Sequence, residues 1–331
     1  MTLIPVTVQH DRAAGTVLAS AAGDALGAPY EFGPSLAPDV AVTMKGGGAF
    51  GFAPGEWTDD TQMALAVLTA LADPDPGAND PVPAVEAGFR AWFASGPADV
   101  GTQTTAVLST PGPLTVAAVT YAEGHPNSAA GNGSLMRTGP VALAHPGDRR
   151  AIAALARQVS ALTHADRDCA DACILWSLAI DHAIHHAPTD HAYDWAGAMR
   201  LGLTLLDRDR AQRWSGLISD AVSPGAQPVD FPKNGWVVHA FQAALSAIVS
   251  TPVPPGDDAR SHLPLALAHA VRAGGDTDTV AAIAGALLGA RWGASAVPAI
   301  WRLDLHGRRI YGQPLLTADD LDDLARRAYT S

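Results

Sequence analysis

Two clusters of carboxylates and hydroxyls lie where apolar helical stretches of the sequence begin. Residues 58–61 read Thr-Asp-Asp-Thr, and residues 274–279 read Gly-Gly-Asp-Thr-Asp-Thr. One interpretation is that each cluster only caps its helix, since Asp and Thr are common at helix N-termini. A cap needs one acceptor, however, and four facing carboxylates repel one another unless a cation lies between them. Carboxylate and hydroxyl oxygens without His or Cys favour Mg²⁺ or Mn²⁺, and two such helix ends could build a two-metal centre.

Two further acids lie near the end of the first predicted helix. Asp24 falls in the last helical turn before Gly27 and Pro29. The helix dipole disfavours a negative charge there, so we expect Asp24 to have a specific partner. Glu31 follows the end of the helix and is a candidate general base or metal ligand. The alternative for Glu31 is a solvated surface carboxylate.

Two glycine-rich segments are candidates for contact with a ligand. Residues 44–57 contain five glycines, which permit positive φ angles and a close approach of the backbone to a ligand. The alternative is an ordinary surface loop. Residues 131–137 read Gly-Asn-Gly-Ser-Leu-Met-Arg, and the amides of this turn could bind an anion such as a diphosphate. Gly-Asn-Gly is also a common turn, and Arg137 either helps to hold a phosphate or pairs with a buried carboxylate.

The elements that must position these residues are predicted to be helices. Apolar residues recur at helical spacing within 60–72 and 276–290. Other segments with a helical pattern are 11–27, 83–95, 103–110, 113–123, 148–163, 168–186, 191–206, 233–250, 258–273 and 317–329. The best candidate for a strand is the short segment 39–44. Because no Pro- or Gly-rich junction is long enough to be a linker, we predict one all-α domain over residues 1–331.

Composition and charge narrow the class of protein. The chain has 331 residues, of which 48% are hydrophobic, and this is enough for a large core. The net charge of −12 and the lack of a basic stripe argue against a broad nucleic-acid surface. Two cysteines are too few for a disulfide scaffold. No signal-peptide pattern is present, and the longest apolar run, 280–290, is too short to span a bilayer, so we expect a soluble cytoplasmic protein.

Five segments carry a resemblance to a known family. They read GDALGAPYE, GEWTDDTQM, GNGSLMR, THAD and GGDTDTVAAIAGALLGA, at residues 23–31, 55–63, 131–137, 163–166 and 274–290. In this order they resemble the ADP-ribosylglycohydrolases, which include the dinitrogenase-reductase-activating glycohydrolases. The last segment is the longest and most specific, whereas residues 185–232 carry little recognisable pattern.

The resemblance implies a fold, a metal centre and a set of site residues. The fold is an orthogonal all-α bundle of many helices with a cleft that holds two Mg²⁺ or Mn²⁺ ions. The implied metal ligands, with Asp278 bridging, are Thr58, Asp59, Asp60, Asp276, Asp278 and Thr279. Glu31 matches a mobile glutamate at the mouth of the cleft. The implied contacts to the distal ribose, the diphosphate and the cleft wall are Gly131, Asn132, Gly133, Ser134 and His164, and Trp236 is a candidate for stacking on the adenine.

The resemblance also implies an activity. We expect hydrolysis of an N- or O-glycosidic bond at the distal ribose, which releases ADP-ribose from a modified protein or a small conjugate through an oxocarbenium-like transition state. Glu31, Asp60 or Asp278 would take the proton from the attacking water. Every acidic position is intact, which argues against the lens-protein relatives of the family.

Two other functions remain open from the sequence. One is a metal-dependent phosphohydrolase that cuts the diphosphate, and the other is a non-catalytic ADP-ribose-binding protein. The leaving group is equally open between arginine, serine, an acidic side chain, a nucleic-acid end and O-acetyl-ADP-ribose. A monomer fits a single compact domain.

Overall fold

The computed structural model describes residues 4–74, 77, 79–186 and 193–330, and most of them are helical. The α-helices are α1 (Val6–Gly27), α2 (Asp59–Ala72), α3 (Val82–Ala94), α4 (Thr102–Leu108), α5 (Leu114–Gly124), α6 (Arg149–Ala161), α7 (Arg167–His185), α8 (Trp195–Arg200), α9 (Arg208–Ala221), α10 (Val237–Ser250), α11 (His262–Arg272), α12 (Thr277–Trp292), α13 (Ala299–Asp304) and α14 (Ala318–Thr330). Two short antiparallel strands, β1 (His306–Gly307) and β2 (Leu316–Thr317), form the only sheet among the described residues. The all-α prediction is confirmed.

Helices α1 and α12 pack against each other in opposite directions with almost no side chain between them. A Cβ added to Gly289 would lie 1.9 Å from the backbone oxygen of Gly15, and one added to Gly27 would lie 2.4 Å from the Cα of Asp278. Only glycine permits such a close approach of two backbones. The contact therefore places the C-terminal end of α1 directly beside the N-terminal end of α12.

Burial around these two helices explains why the sequence is rich in alanine. Every residue of α12 from Thr277 to Arg291 is buried, as expected of a helix that is apolar on all sides. Buried apolar side chains from Ala13 to Tyr329 form one connected core. The assignment of residues 1–331 to a single domain stays a prediction. Among the described helices, none is long and apolar enough to cross a membrane.

Several predicted elements differ from the observed ones. The sequence predicts one helix over 191–206. Residues 191 and 192 lie outside the described residues, and the remainder forms α8 followed by a short 3₁₀ helix over Leu201–Leu205. Helix α9 has no counterpart in the predictions, because it is largely polar and buries only Trp214, Ile218 and Ala221.

The prediction of a strand over 39–44 is wrong. The backbone there makes no ladder, and the N–H of Thr43 instead donates to the hydroxyl of Tyr30 at 3.0 Å. A side chain thus supplies the acceptor that a neighbouring strand would otherwise supply. The observed strands lie near the C-terminus, where the two-residue pairing of His306 with Thr317 and Gly307 with Leu316 is too short to be recognised from alternation.

Candidate active site

Asp24 joins the end of α1 to the beginning of α2. Its Oδ2 accepts hydrogen bonds from the backbone N–H (3.0 Å) and the hydroxyl (2.6 Å) of Thr61, and its Oδ1 accepts one from the N–H of Thr58 (3.0 Å). Burial raises the pKa of Asp24 to about 6, although these hydrogen bonds act in the other direction. The expected specific partner is therefore the N-terminus of α2, whose dipole favours the negative charge that the end of α1 disfavours.

The first acidic cluster has more acceptors than helix α2 needs. Thr58 is the N-cap, and its hydroxyl accepts the N–H of Asp60 at 3.4 Å. The carboxylates of Asp59 and Asp60 are consequently not required as caps. One buried oxygen of Asp60, Oδ1, has no hydrogen-bond partner. An unpartnered buried carboxylate oxygen is costly and indicates a ligand atom for a cation.

The second cluster does not cap its helix either. Asp276 is the N-cap residue of α12, yet its side chain makes no capping hydrogen bond. Its Oδ2 instead accepts from the amide of Asn132 at 2.7 Å, and Oδ1 of Asp278 accepts from the N–H of Thr279 at 2.9 Å.

The two clusters meet in one group of carboxylates. Oxygen atoms of Asp24, Asp60 and Asp278 lie within 4.8 Å of one another, and so do oxygen atoms of Glu31, Asp276 and Asp278. Asp278 belongs to both groups. Burial, followed by the charges of neighbouring acids, raises the pKa of Asp60 and Asp278 well above the usual range. Hard oxygen donors that repel one another in this way fit divalent cations such as Mg²⁺ or Mn²⁺.

A cavity of about 360 Å³ opens above the carboxylates. The predicted site residues that line it are Glu31, Asp59, Asp60, Gly131, Asn132, Gly133, His164, Asp276, Asp278 and Thr279. Thr58 lies behind the wall, where it is fully buried. The hydroxyl of Ser134 faces the interior, because it accepts from Ser160 at 3.0 Å and from the thiol of Cys173 at 3.5 Å. The fold therefore brings together residues separated by more than 200 positions in the chain.

The imidazole of His164 supports the glycine turn of the cavity wall. A Cβ added to Gly133 would lie 3.1 Å from His164 Cε1, and one added to Gly131 would lie 3.3 Å from Nε2. Burial, and then the charge of Arg137, lowers the pKa of His164 to about 3. The ring is consequently neutral at physiological pH, and it packs against the glycine turn of the cavity wall.

Arg137 has neither of the two roles that the sequence suggests. Its guanidinium is fully buried, 4.4 Å above the ring of Phe89, and donates to the hydroxyl of Thr163 at 2.7 Å. It does not line the cavity, and it has no salt bridge among the described residues. Both expectations, a phosphate ligand and a carboxylate partner, are therefore wrong, because the side chain packs on an aromatic ring in the core.

The glycine-rich segment 44–57 has the positive φ angles expected from its sequence, but it approaches another part of the backbone rather than a ligand. Its five glycines all have positive φ angles. A Cβ added to Gly48 would lie 2.4 Å from the backbone oxygen of Ala28. The close approach thus packs the loop onto the turn after α1, beside Glu31.

Comparison with known proteins identifies the family of this chain. A model of the family described as ADP-ribosylglycohydrolase matches residues 5–331. The chain belongs to the ADP-ribosylglycohydrolase family. It is 32% identical over 310 residues to the ADP-ribosyl-[dinitrogen reductase] glycohydrolase of Rhodospirillum rubrum. The aligned region covers 91% of this chain and 92% of that protein. The family resemblance seen in the sequence is confirmed.

Two further likenesses extend over most of the chain. The ADP-ribosylarginine hydrolase Tri1 of Pseudomonas putida (strain GB-1) is 30% identical over 88% of this chain and 73% of that protein. A solved structure titled as an ADP-ribosylglycohydrolase-related protein complex superposes with a TM-score of 0.70 at 27% identity. It covers 98% of this chain and 99% of that chain.

In this member of the family, the sequence did not predict one acid that lines the cavity, or a buried amide that supports the cavity from behind. Asp99 lines the cavity from the loop before α4, and burial, with the charge of Asp276, raises its pKa to about 6. Asn234 holds the turn before α12, because it accepts the N–H of Asp276 at 3.0 Å and donates to the backbone oxygen of Gly274 at 2.8 Å. Neither residue lies in a motif, so only their position in the fold reveals them.

A second cavity of about 600 Å³ adjoins the first and shares Ser128, Gly131 and Gly235 with it. Trp236 lines this second cavity, with its ring centroid 5.1 Å from that of His239. Lys233 also lines this cavity and contributes a positive charge. The carboxylate of Asp168, on another wall, is paired with Arg210 and Arg213. The two cavities together provide room for a ligand much longer than one sugar.

Proposed function

We propose that this chain is a metal-dependent hydrolase that releases ADP-ribose from a modified side chain or a small conjugate by cleaving the glycosidic bond at the distal ribose. Membership of the ADP-ribosylglycohydrolase family supports the substrate and the reaction class. The observation that carries metal dependence is the meeting of two carboxylate groups at Asp278, beside the unpartnered oxygen of Asp60. A phosphohydrolase would use similar ligands, but the family match favours the glycosidic bond.

The residues proposed to hold two Mg²⁺ or Mn²⁺ ions are those of the two helix ends: Thr58, Asp59, Asp60, Asp276, Asp278 and Thr279. Asp278 is proposed to bridge the ions, because it alone belongs to both carboxylate groups found among the described residues. Asp24 is assigned a positioning role, since both of its oxygens accept hydrogen bonds from α2. Such ions, when bound, lower the pKa of water and orient hydroxyl groups.

Glu31 is proposed to take the proton from the attacking water. It lines the cavity, and burial, followed by the charges of Asp99 and Asp276, raises its pKa to about 8. A carboxylate on the cavity wall can take a proton from a water molecule bound beside it. The carboxylates of Asp60 and Asp278 on the cavity floor would stabilise the positive charge that develops at the anomeric carbon.

The two adjoining cavities suggest how ADP-ribose lies in the protein. The distal ribose is proposed to occupy the first cavity, against Gly131 and Gly133, where an added Cβ would meet His164. The adenosine half would extend past the shared wall into the second cavity, towards Trp236 and Lys233. The ammonium of Lys233 is suited to a phosphate, and the indole is suited to stacking on adenine.

Arginine is the proposed linkage. One relative with substantial coverage is an ADP-ribosylarginine hydrolase. In this chain the cavity mouth carries the acids Glu31 and Asp99, which would attract the positive guanidinium of a modified arginine. A cytoplasmic location and a monomeric state stay predictions.

The test is an assay with the purified protein on arginine-linked and serine-linked ADP-ribosyl peptides, in Mg²⁺, in Mn²⁺ and in EDTA, with products identified by mass. We expect release of intact ADP-ribose that depends on metal and is faster for the arginine linkage. AMP as the product would assign diphosphate cleavage instead. Tight binding of ADP-ribose without turnover of either peptide would indicate a binding protein.

A further inference from the structure

Phe32 has a backbone conformation that a bulky residue rarely adopts. Its φ angle is +59°, and across the described residues it is the one residue other than glycine with a positive φ. Its ring is 67% exposed and lines the mouth of the active-site cavity. A left-handed conformation is unfavourable for a residue with a Cβ, and exposing a phenyl ring forgoes the gain from its burial. Phe32, which directly follows Glu31, therefore combines an unfavourable backbone conformation with an exposed ring.

The conformation of Phe32 is fixed by hydrogen bonds to the start of α12. Its N–H donates to the backbone oxygen of Gly275 at 2.7 Å, and the N–H of Gly275 donates to the oxygen of Gly33 at 2.9 Å. Asp276, one of the cavity carboxylates, follows immediately. These bonds connect the segment at the cavity mouth to the turn that presents the carboxylates, so the backbone of Phe32 has a defined position relative to Asp276.

A row of aromatic rings supports Phe32 from the glycine-rich loop. The ring of Phe50 packs edge-on at 6.3 Å from that of Phe32, and Phe52 packs edge-on at 6.3 Å from Phe50. Phe52 is buried, Phe50 is partly exposed, and Phe32 is the outermost ring. Phe32 thus remains largely exposed at the mouth of a cavity whose acids are Glu31, Asp59, Asp60, Asp99, Asp276 and Asp278.

A neighbouring ring already binds a cation in this part of the protein. The ammonium of Lys45 lies 4.4 Å from the centroid of the Tyr30 ring. Of the cation–π contacts found within the described part of the chain, none involves Phe32. The face of an aromatic ring attracts cations through its quadrupole, and a planar guanidinium stacks on it especially well.

We infer that Phe32, supported by Phe50 and flanked by Glu31 and Asp99, forms a subsite for a cationic side chain on the leaving-group side of the glycosidic bond. The ligand class is a guanidinium, which stacks on the phenyl face while the carboxylates compensate its charge. This inference rests on the proposed function, because it assigns the position of the arginine from which ADP-ribose is removed. A role in binding substrate would also explain why a bulky residue keeps a left-handed conformation at this position.

The test compares Phe32→Leu and Phe32→Tyr with the wild-type protein. Phe32→Leu keeps an apolar side chain but removes the ring, so we expect kcat/KM for an ADP-ribosylarginine peptide to fall about five- to tenfold. Phe32→Tyr keeps the ring and should retain most of the activity. The affinity for free ADP-ribose, measured by calorimetry, should be the same in all three proteins, because ADP-ribose lacks the guanidinium.

Leu265→Ala is the matched control, since Leu265 is an exposed apolar residue on α11, away from the cavity. Its kcat/KM should equal that of the wild type. The subsite would be disproved by unchanged kcat/KM in Phe32→Leu, by equal losses in Phe32→Leu and Phe32→Tyr, or by a parallel loss of ADP-ribose affinity. A wild-type protein that fails to cleave the arginine peptide would contradict the proposed function itself, and the subsite with it.

Discussion

The hydroxyl of Thr279 donates a hydrogen bond to Oδ2 of Asp60 at 3.3 Å, across 219 positions of the chain. This contact joins the N-terminal ends of α2 and α12. Both helix dipoles present their positive ends to the same small volume, which favours the accumulation of carboxylates there. The dipoles do not fully compensate the charge, because the pKa values of Asp59, Asp60 and Asp278 are still raised well above the usual range by burial and mutual repulsion.

Asp278→Asn should abolish metal binding and activity together. The amide removes the one carboxylate that both groups share, so we expect calorimetric binding of Mn²⁺ to weaken strongly and kcat/KM to fall at least about a hundredfold. In EDTA the variant should melt at a higher temperature than the wild type, since it removes one of several buried acids that cannot all ionise together.

Asp39→Asn is the control for Asp278→Asn, because Asp39 is an exposed aspartate in a loop. It should change neither metal binding nor activity. If Asp278→Asn bound two ions and retained full activity, its bridging role would be refuted.

Glu31→Gln should separate proton transfer from binding. The amide keeps the size of the side chain but cannot take a proton from water, so we expect kcat to fall about 10²- to 10⁴-fold. The affinity for ADP-ribose should change little. A loss of Mn²⁺ affinity as large as the loss of kcat would instead make Glu31 a metal ligand.

His164 should make the protein less stable in acid. Burial and the charge of Arg137 lower its folded-state pKa to about 3, against an ordinary value of 6.5. Between these values the unfolded chain binds a proton that the folded protein does not, so the free energy of unfolding decreases as the pH falls from 6.5 towards 3.

The measurement is urea unfolding of the wild type and of His164→Asn in EDTA at several pH values. The difference in unfolding free energy between the two proteins should shift in favour of the variant as the pH falls below 6.5. A difference that is independent of pH over this range would show that His164 titrates normally in the folded protein.

Gly285→Ala should disrupt the packing of α1 against α12. An added Cβ would lie 2.1 Å from the backbone oxygen of Ala19, and a rigid backbone cannot yield as a flexible side chain can. We expect a destabilisation of about 3 kcal/mol, with reduced Mn²⁺ affinity because the carboxylates of the two helices move apart.

Gly216→Ala in α9 makes the same chemical change where nothing lies within 4 Å of the added atom. There alanine should stabilise the helix by about 0.5–1 kcal/mol. Thermal and urea unfolding of both variants would test the pair. Equal effects at the two positions would disprove the proposed role of the close contact.

Much of the candidate site could be predicted because its carboxylates lie in short contiguous motifs. Asp59 and Asp60 share a helix start, as do Asp276 and Asp278, and the surplus of carboxylates over caps was readable from the sequence. Asp24 was recognisable from its unfavourable position at a helix end, although its partner Thr61 was not.

The rest of the site depends on long-range contacts that leave no local pattern. Asp99 is an isolated acid in a loop, and only the packing of α4 brings it to the cavity. Phe32 looks like an ordinary apolar residue until its positive φ is known. Arg137 follows a glycine turn, as a phosphate ligand would, yet its guanidinium packs on the ring of Phe89 in the core. The bounds of α2 and α12 were predicted within two residues, because their apolar faces and caps are strong local signals.

The glycine contacts between α1 and α12 also determine how the site can open. Because few and only small side chains lie between the two backbones, the helices have little room to slide or rotate past each other by small steps. Asp24 and Asp278 are carried on this pair, and their separation requires the pair to come apart. Amide hydrogen exchange in both helices should therefore require global unfolding rather than local opening of either helix. The packing of the two helices thus fixes the distance between carboxylates on the floor of the cavity.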